Sequence, residues 1–182
     1  MACASTCRSS AHSQHSRQKG EPTLISGYTL RRATSADIDI IRHQRRAMFA
    51  AMGLHEEAGI QRMDLGFRAW LKEHLADGRY IGLFAVDQAG ADVAGAGIWL
   101  FEWPPTFHEP TGQRAYLLNV YTEPAHRQQG IAHALVRACI EECRARNVKL
   151  ILLHASDNGR AVYASLGFTE SNEMRMFLEG GP

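Results

Sequence analysis

The amino-acid sequence predicts a single mixed α/β domain. Its 182 residues are 45% hydrophobic and 21% charged, as expected of one globular domain that buries a full core. Segments with helical and with strand-like periodicity alternate along the chain, and none of them repeats. No apolar run approaches the ~18–20 residues needed to span a bilayer. We therefore expect no membrane-spanning segment and a cytoplasmic location.

The N-terminal end differs in composition from the rest of the chain. Residues 1–20 contain three basic side chains, five serines and no acidic residue. A segment of this kind buries too little apolar surface to offset the entropy that ordering costs. We therefore expect residues 1–22 to form a disordered tail and residues 23–182 to form the domain.

The overall charge argues against a nucleic-acid partner. The chain has 20 basic and 19 acidic side chains, a net charge of +1 at pH 7. Proteins that bind nucleic acids usually carry a strong basic excess. The small positive charge here comes from the N-terminal end, because the remaining 162 residues have a net charge of −2.

The first half of the domain has the pattern of one strand and two helices. Tyr28–Arg32 is strand-like, and Thr34 or Ser35 is a suitable N-cap for the helical pattern that continues to Met52. A second amphipathic pattern from Arg62 to Leu75 predicts another helix.

The second half alternates strands with helices. The apolar run Ile98–Phe101 has no polar face, which is typical of a central strand. The predicted strands are Tyr80–Val86, Val93–Trp103, Tyr116–Thr122, Leu150–His154 and Met174–Leu178. The predicted helices are Gly130–Arg146 and Gly159–Leu166, and Asn147 is the expected C-terminal cap of the first.

Four cysteines are too few for a disulfide scaffold. Cys139 and Cys143 lie four residues apart in a helical pattern and therefore on one face. They are either a redox or metal pair or two small residues of the core. No other Cys or His pair has the spacing of metal ligands, so we expect core residues and no metal.

The segment from Val120 to Ala132 has the pattern of a strand, a turn and the start of a helix. The first N–H groups of a helix have no internal partner and lie at the positive end of its dipole. Gly130 and Ala132 let phosphates approach this backbone, and Arg127 adds a cation beside it. The pattern predicts pyrophosphate binding, although neither a P-loop nor G-x-G-x-x-G is present.

A second motif, Tyr163-Ala164-Ser165-Leu166-Gly167-Phe168, follows the next strand. With the first motif, which reads T-x-P-x-x-R-x-x-G-x-A from Thr122, it resembles the GCN5-related N-acetyltransferase (GNAT) superfamily. The resemblance covers Tyr28 to Leu178 and is sharpest over residues 116–168. It implies a mostly antiparallel central sheet flanked by helices, with a splayed strand pair that forms the acyl-CoA slot.

The resemblance also implies which residues bind acetyl-CoA. A strand backbone pairs with the pantetheine arm, and the following loop holds the pyrophosphate. The implied residues are Val120, Tyr121, Thr122, Arg127, Gln128, Gln129, Gly130, Ile131, Ala132 and His133. Relatives commonly carry an Asn that anchors the pantetheine seven residues before the motif tyrosine. This chain has Ser156 there, which can hydrogen-bond but reaches less far.

Tyr163 matches the tyrosine that the family places near the thioester sulfur. An amine that attacks acetyl-CoA expels a thiolate, and free thiols have a pKa of ~8.5 against ~10 for tyrosine. Full proton transfer from Tyr163 is therefore uphill, and a hydrogen bond to the departing thiolate is the expected role. The alternative is an aromatic side chain that only packs on the sheet.

Three residues are candidates for the general base that takes the proton of the amine. They are Glu123 at a strand end, His154 on the following strand and Glu102 on the central strand. Each also has a structural interpretation, as a solvated charge or a buried histidine. Proton loss to a chain of waters is a further route, and Glu173 is placed to attract an amine.

The sequence thus predicts an N-acetyltransferase of EC 2.3.1 type in which an amine attacks acetyl-CoA directly within a ternary complex. The alternative is an acyl-CoA-binding sensor or partner module with little catalytic activity. The acceptor is expected to be a small amine or a peptide N-terminus, selected by the first two helices and by the loop of residues 104–113. The resemblance also allows a homodimer.

Overall fold

A six-stranded sheet organises the residues that the computed structural model describes, which are 23–107 and 109–178. Neighbouring strands follow chain order, and each pair is antiparallel except the last, which is parallel. The strands are β1 (Thr23–Ile25), β2 (Tyr28–Arg32), β3 (Tyr80–Val86), β4 (Asp92–Glu102), β5 (Gln113–Thr122) and β6 (Ile151–Leu152). The predicted tail, residues 1–22, lies outside the described residues.

Helices cover both faces of the sheet. They are α1 (Ile38–Ala51), α2 (Glu57–Ala76), α3 (Ile131–Ala145) and α4 (Asp157–Ser165). On one face Ile41 of α1 and Leu71 of α2 pack with Tyr80 and Phe84 of β3. On the other face Leu135 and other buried residues of α3 pack against the central strands, with side chains of α4 at the edge. The predicted mixed α/β class with a mostly antiparallel sheet is therefore confirmed. None of the described helices is both long and apolar enough to cross a membrane.

An ion-pair network fixes the start of α1 against the sheet. Thr34 and Asp37 form a capping box on the 3-10 turn that precedes α1, which confirms the predicted N-cap. Arg31 of β2 donates to both oxygens of Asp37, at 2.8 and 3.0 Å, and of Asp92, at 2.5 and 2.7 Å. Arg31 lowers the pKa of Asp37, so this carboxylate stays charged at neutral pH.

Two predicted boundaries differ from the structure. The second helix begins at Glu57 rather than Arg62, because the side chain of Glu56 accepts the backbone N–H of Gly59 and caps it. Sequence preferences for N-caps favour shorter side chains than Glu, so this start carries little signal. The predicted strand Leu150–His154 is reduced to the two residues of β6.

The predicted last strand, Met174–Leu178, is wrong. These residues form neither helix nor strand, and Met174, Met176 and Leu178 are each more than 80% exposed. The alternation of apolar residues is strand-like, but a strand also needs a neighbour that pairs its N–H and C=O groups. The adjacent edge strand β6 has two residues, both paired with β5, and none of the described residues pairs with 174–178.

The two cysteines of α3 belong to the core, as predicted. Cys139 is 2% exposed and Cys143 is 1% exposed, and both are free thiols packed in the cluster between α3 and the sheet. No group of three or more possible metal ligands occurs among the described residues. Burial raises the pKa of Cys139, and it raises that of Cys143 to about 11.

These buried thiols predict a loss of stability in alkali. Above pH ~8.5 the thiols of the unfolded chain ionise, whereas the folded chain keeps both protons. The unfolded state then binds fewer protons, so the free energy of unfolding falls as the pH rises. Urea denaturation in a reducing buffer at pH 8 and pH 10 is expected to show a loss of about 3–4 kcal/mol, roughly half of it from each thiol. Cys143→Ala should show a smaller loss over the same interval, and an equal loss would contradict the assignment.

Candidate active site

The loop between β5 and α3 presents free backbone amides at the start of the helix. Pro124–His126 forms one 3-10 turn, after which Gln128 and Gly130 have positive φ values of 62° and 78°. Gly130 is the N-cap of α3, and no side chain of the described residues bonds the first N–H groups of the helix. These groups lie at the positive end of a 15-residue helix and suit an anion.

Tyr28 at the start of β2 holds this loop in place. Its hydroxyl lies 2.9 Å from Nδ1 of His126 and donates to Oε1 of Gln129 at 2.8 Å. The rings of Tyr28 and His126 also meet edge to face, with centroids 5.8 Å apart. The sequence pattern placed Tyr28 only in a strand. The pair gives no local signal, because 98 residues separate its members.

Arg127 is directed back to the end of β5. Its Nε donates to the carbonyl oxygen of Thr122 at 3.0 Å, and its guanidinium lies 5.9 Å from the ring centre of Tyr121. The side chain is exposed. The cation therefore lies between the strand edge and the uncapped helix start, where a bound pyrophosphate would meet both.

A bulge in β5 separates the second half of this strand from β6. Only Ala115 and Tyr116 pair with β6, opposite Ile151 and Leu152. The register with β4 then shifts, and Asn119 has a left-handed φ of 56°. Next along β5 lie the residues expected to flank the pantetheine arm, Val120, Tyr121 and Thr122. Tyr121 and Thr122 pair with Gly95 and Ala94 of β4, and none of the three pairs with β6.

The helix α4 contributes Ser156 and Tyr163. Ser156 is the N-cap of α4, but its side chain makes no capping hydrogen bond. Tyr163 is half-buried against the α3 core cluster and meets the ring of Phe168 edge to face at 5.9 Å. Burial is the main cause that raises the pKa of Tyr163, followed by the nearby thiol of Cys139, so its hydroxyl is neutral at physiological pH.

The general-base candidates lie in different places. Glu123 accepts a hydrogen bond from the hydroxyl of Tyr121 at 3.0 Å and lies 3.9 Å from Nε2 of His43. His154 hydrogen-bonds the hydroxyl of Tyr116 through Nδ1. Glu102 is exposed and pairs with Gln113 at the start of β5, about 30 Å of strand away from Thr122. The fold therefore keeps Glu102 apart from the loop.

A cavity of about 290 Å³ opens on the α1 and α2 face of the sheet. Helices α1 and α2 and strands β4 and β5 supply its walls, which are mostly aromatic. The lining residues are Arg45, Phe67, Trp70, Trp99, Tyr116 and Leu118. The predicted first two helices thus contribute to this side of the site, whereas no described residue of the loop 104–113, which was also expected to select the acceptor, is in the lining.

A short chain of polar contacts joins the cavity to the bulge. Arg45 donates through Nη1 to Oδ1 of Asn119 at 2.5 Å, and Nδ2 of Asn119 donates to the hydroxyl of Tyr80 at 3.1 Å. Burial lowers the pKa of Arg45, because the charged form loses hydration there. No sequence motif marks Arg45, Asn119 and Tyr80 as site residues, since they belong to three separate elements, α1, β5 and β3.

Comparison with known proteins identifies one family for the segment that contains this strand, loop and helix. The model of the acetyltransferase (GNAT) family matches residues 40–168, which include the whole strand, loop and helix described above. The chain belongs to the GNAT acetyltransferase family. It is therefore an enzyme of the transferase class, EC 2.3.1 type, as the resemblance implied. No curated protein sequence matches the chain significantly.

Solved structures agree with this membership. A GCN5-related N-acetyltransferase from Ralstonia eutropha JMP134 is 34% identical, with a TM-score of 0.79 over 85% of this chain and 100% of that chain. A predicted acetyltransferase from Clostridium acetobutylicum, determined with acetyl-CoA, is 28% identical, with a TM-score of 0.76 over 82% and 95%. An aminoglycoside acetyltransferase from an uncultured soil metagenomic sample shares the fold alone, at 19% identity and a TM-score of 0.63 over 84% and 99%.

In this GNAT acetyltransferase the predicted residues fall into two connected groups. The loop residues Arg127–His133 and the strand edge Val120–Thr122 are continuous along the chain and share one end of β5. Helix α4, with Ser156 and Tyr163, follows the short β6 and packs beside α3. The cavity lies on the opposite face of the same strand β5.

Proposed function

We propose that the enzyme transfers the acetyl group of acetyl-CoA to a small amine by direct attack within a ternary complex. The observation that carries this proposal is the position of β5 between two binding features. One end of β5 leads into the uncapped amides of α3, and its middle borders the aromatic cavity. A donor on the strand edge and an acceptor in the cavity would therefore meet across one strand.

The loop supplies the pyrophosphate site in this proposal. The backbone N–H groups of the first turn of α3, from Gly130 to His133, bind the phosphate oxygens, and Gln128 and Gln129 shape the loop before them. Arg127 adds a charge-assisted contact from the strand side. Tyr28 preorganises the loop through His126 and Gln129, which lowers the entropy lost on binding.

The free edge of β5 holds the pantetheine arm. Its amide groups can pair with Val120, Tyr121 and Thr122 as an added strand would, because β6 does not pair with these residues. The Oγ1 of Thr122 is buried without a hydrogen-bond partner among the described residues, which fits an additional partner at this position. Ser156, whose side chain makes no capping bond, adds a hydroxyl from the side of α4.

The chemical step needs one proton removed and one proton supplied. The amine nitrogen attacks the thioester carbonyl carbon, the new C–N bond forms, and the C–S bond breaks with its electron pair on sulfur. The amine loses one proton to a base, and the CoA thiolate takes one proton. Tyr163 donates the hydrogen bond that stabilises this thiolate, because its hydroxyl is neutral and bonds no described residue.

Two routes for the proton of the amine fit the geometry. His154 lies beside Tyr116, which lines the cavity, so this histidine is the nearer candidate to the acceptor. Glu123 lies at the loop end of β5 and bonds Tyr121, so it would act through an intervening water. A measurement of activity in the His154→Gln and Glu123→Gln variants separates the two.

Calorimetric titration with acetyl-CoA tests the proposal. We expect binding with a sub-millimolar Kd and about tenfold weaker binding by Arg127→Ala, because a charge-assisted contact to phosphate is removed. The matched control is Arg137→Ala, an exposed arginine further along α3, which should bind like the unchanged enzyme. No binding of acetyl-CoA to the unchanged enzyme would overturn the proposal. Binding of acetyl-CoA without release of free CoA when any amine is added would instead favour a non-catalytic module.

A further inference from the structure

The aromatic cavity has a single charged side chain in its lining. Arg45 lies among Phe67, Trp70, Trp99 and Leu118, and none of the described carboxylates lines the cavity. Its volume of about 290 Å³ is at the lower limit of small-molecule sites. A ligand of matching chemistry is small, has an apolar or aromatic body and brings an anionic group to Arg45.

The guanidinium of Arg45 is only partly satisfied by the protein. Nη1 donates to Asn119, and the planar group packs 4.3 Å from the ring centre of Phe67 and 4.8 Å from that of Phe49. Nε is buried and has no hydrogen-bond partner among the described residues. A buried donor without a partner is costly, and a ligand that accepts its hydrogen bond would remove this cost.

Two other arginines of this protein use Nε and Nη2, the edge of the guanidinium that contains the unpartnered Nε in Arg45, to bind a carboxylate. Arg31 holds Asp92 with Nε at 2.7 Å and Nη2 at 2.5 Å. Arg42 holds Asp64 with the same two nitrogens, Nε at 3.0 Å. Planar side-on pairs of this kind are the strong, oriented contacts that arginine makes with carboxylates. Arg45 forms no ion pair with a carboxylate of the described residues.

The other end of the cavity suits an amine. The hydroxyl of Tyr116 bonds His154, and Glu173 lies close enough that its charge, after burial, raises the pKa of Tyr116. Outside the lining, the exposed side chains of His154 and Glu173 thus border this end of the cavity. The cavity has a cation in its lining near Asn119 and a basic nitrogen next to its Tyr116 end.

We propose that the acceptor is a small amine that also carries a carboxylate and an apolar side chain, as a free apolar or aromatic amino acid does. Its carboxylate pairs with Arg45, its side chain packs among Phe67, Trp70 and Trp99, and its amine faces Tyr116 and His154. The inference rests on the proposed function, since this amine is the group that attacks the thioester. The product is the N-acetyl amino acid, with free CoA as the leaving group.

Other acceptor classes match the cavity less well. A polycationic aminoglycoside would place ammonium groups beside Arg45, with no carboxylate in the lining to bind them. A lysine side chain of a folded protein would bring no carboxylate to Arg45. The unpartnered Nε of Arg45 would remain unsatisfied in both cases.

Matched acceptor pairs test the inference on the unchanged enzyme. Release of CoA is measured with L-phenylalanine and L-leucine, with L-phenylalaninamide and L-leucinamide, and with an aminoglycoside. We expect kcat/KM at least about tenfold higher for each acid than for its amide, because only the acid forms the charged pair with Arg45. Amides or aminoglycosides that react as well as the acids, or better, overturn the inference and leave the proposed transferase activity standing.

Variants of Arg45 test whether this residue causes the preference for acids over amides. Arg45→Met keeps an unbranched side chain between the two phenyl rings and should remove the preference for acids over amides. Arg45→Lys keeps the charge without the planar fork and should retain part of it. The matched control is Arg46→Met. Arg46 is the exposed neighbour of Arg45 on α1 and pairs with Glu57 of α2 at 3.6 Å, so this variant should keep the full preference. An unchanged preference in Arg45→Met overturns the inference.

A binding measurement separates this inference from catalysis. Two of the three tryptophans of the chain, Trp70 and Trp99, line the cavity, so their fluorescence reports occupancy. We expect 3-phenylpropionate to bind at least about tenfold more tightly than 3-phenylpropanamide, and Arg45→Met to abolish the difference. If the acid binds more tightly but no amine causes release of CoA, the carboxylate site is supported and the transferase proposal is contradicted. Equal affinities of acid and amide overturn the carboxylate site.

Discussion

Tyr163→Phe is expected to lower kcat about a hundredfold while the Kd of acetyl-CoA changes less than about threefold. Loss of one donor to a charge that develops in the transition state typically costs 10²–10³ in rate. The phenyl ring keeps the packing that Tyr163 makes against the α3 cluster and Phe168, so the slot keeps its shape. The complex with acetyl-CoA before the reaction therefore loses little binding free energy.

The raised pKa of Tyr163 defines how this residue acts. Burial, together with Cys139, raises its pKa above the ordinary value of ~10, so the hydroxyl is a weaker acid than the thiol of CoA. In the proposed mechanism it stabilises the departing thiolate by a hydrogen bond and stays protonated throughout neutral pH. The kcat of the unchanged enzyme should therefore not decline between pH 7 and pH 9 through loss of this proton.

Steady-state release of CoA with the best amine of the acceptor panel measures the effect. Ser165→Ala is the matched control, since its exposed hydroxyl lies on the same helix and bonds only the carbonyl of Val162. Urea denaturation of both variants checks that α4 is intact. A kcat of Tyr163→Phe within twofold of the unchanged enzyme would remove Tyr163 from the mechanism.

Gly97→Ala is expected to destabilise the fold by about 3 kcal/mol, although it adds a single methyl group. A Cβ on Gly97 of β4 would lie 2.5 Å from Cζ and 2.7 Å from Cε2 of Tyr80, inside van der Waals contact. The tyrosine is 3% exposed and packs edge to face on Trp70, so its ring has no room to withdraw. Overpacking of a buried ring typically costs 1–3 kcal/mol.

The displaced ring should also reach the acceptor cavity. The hydroxyl of Tyr80 accepts from Asn119, and Asn119 accepts from Arg45. A shift of Tyr80 therefore removes support from the residue proposed to bind the carboxylate. We expect the KM of the acceptor to rise in Gly97→Ala more than the Kd of acetyl-CoA, whose loop lies on the other side of β5.

Thermal unfolding measures the stability change, with a loss in Tm of about 6–12 °C. The matched control is Gly66→Ala in α2, where an added Cβ meets no atom within 4 Å. This helical, exposed glycine should give a gain of about 0.5–1 kcal/mol, since alanine loses less entropy in a helix. A Gly97→Ala enzyme as stable as the unchanged one would contradict the assigned contact.

Local sequence was sufficient wherever neighbouring residues set the structure. The bounds of β3 agree with the predicted Tyr80–Val86, and those of β4 differ from the prediction by one residue at each end. Strand periodicity was misleading for Met174–Leu178, because a strand requires a partner that periodicity does not report. The start of α2 was missed because Glu56 is an uncommon N-cap.

The sequence by itself determined the family and the loop expected to hold the donor. The turn from Thr122 to Gly130 depends on contiguous residues, a proline turn and a glycine with positive φ, so its conformation can be derived from a short segment. Only the tertiary structure revealed the cavity that is proposed for the acceptor. Arg45, Tyr80 and Asn119 come from three separate elements, and their polar groups meet only when α1 packs on the sheet. A contact between distant segments has no local pattern, so the cavity and its charge became apparent only in the folded chain.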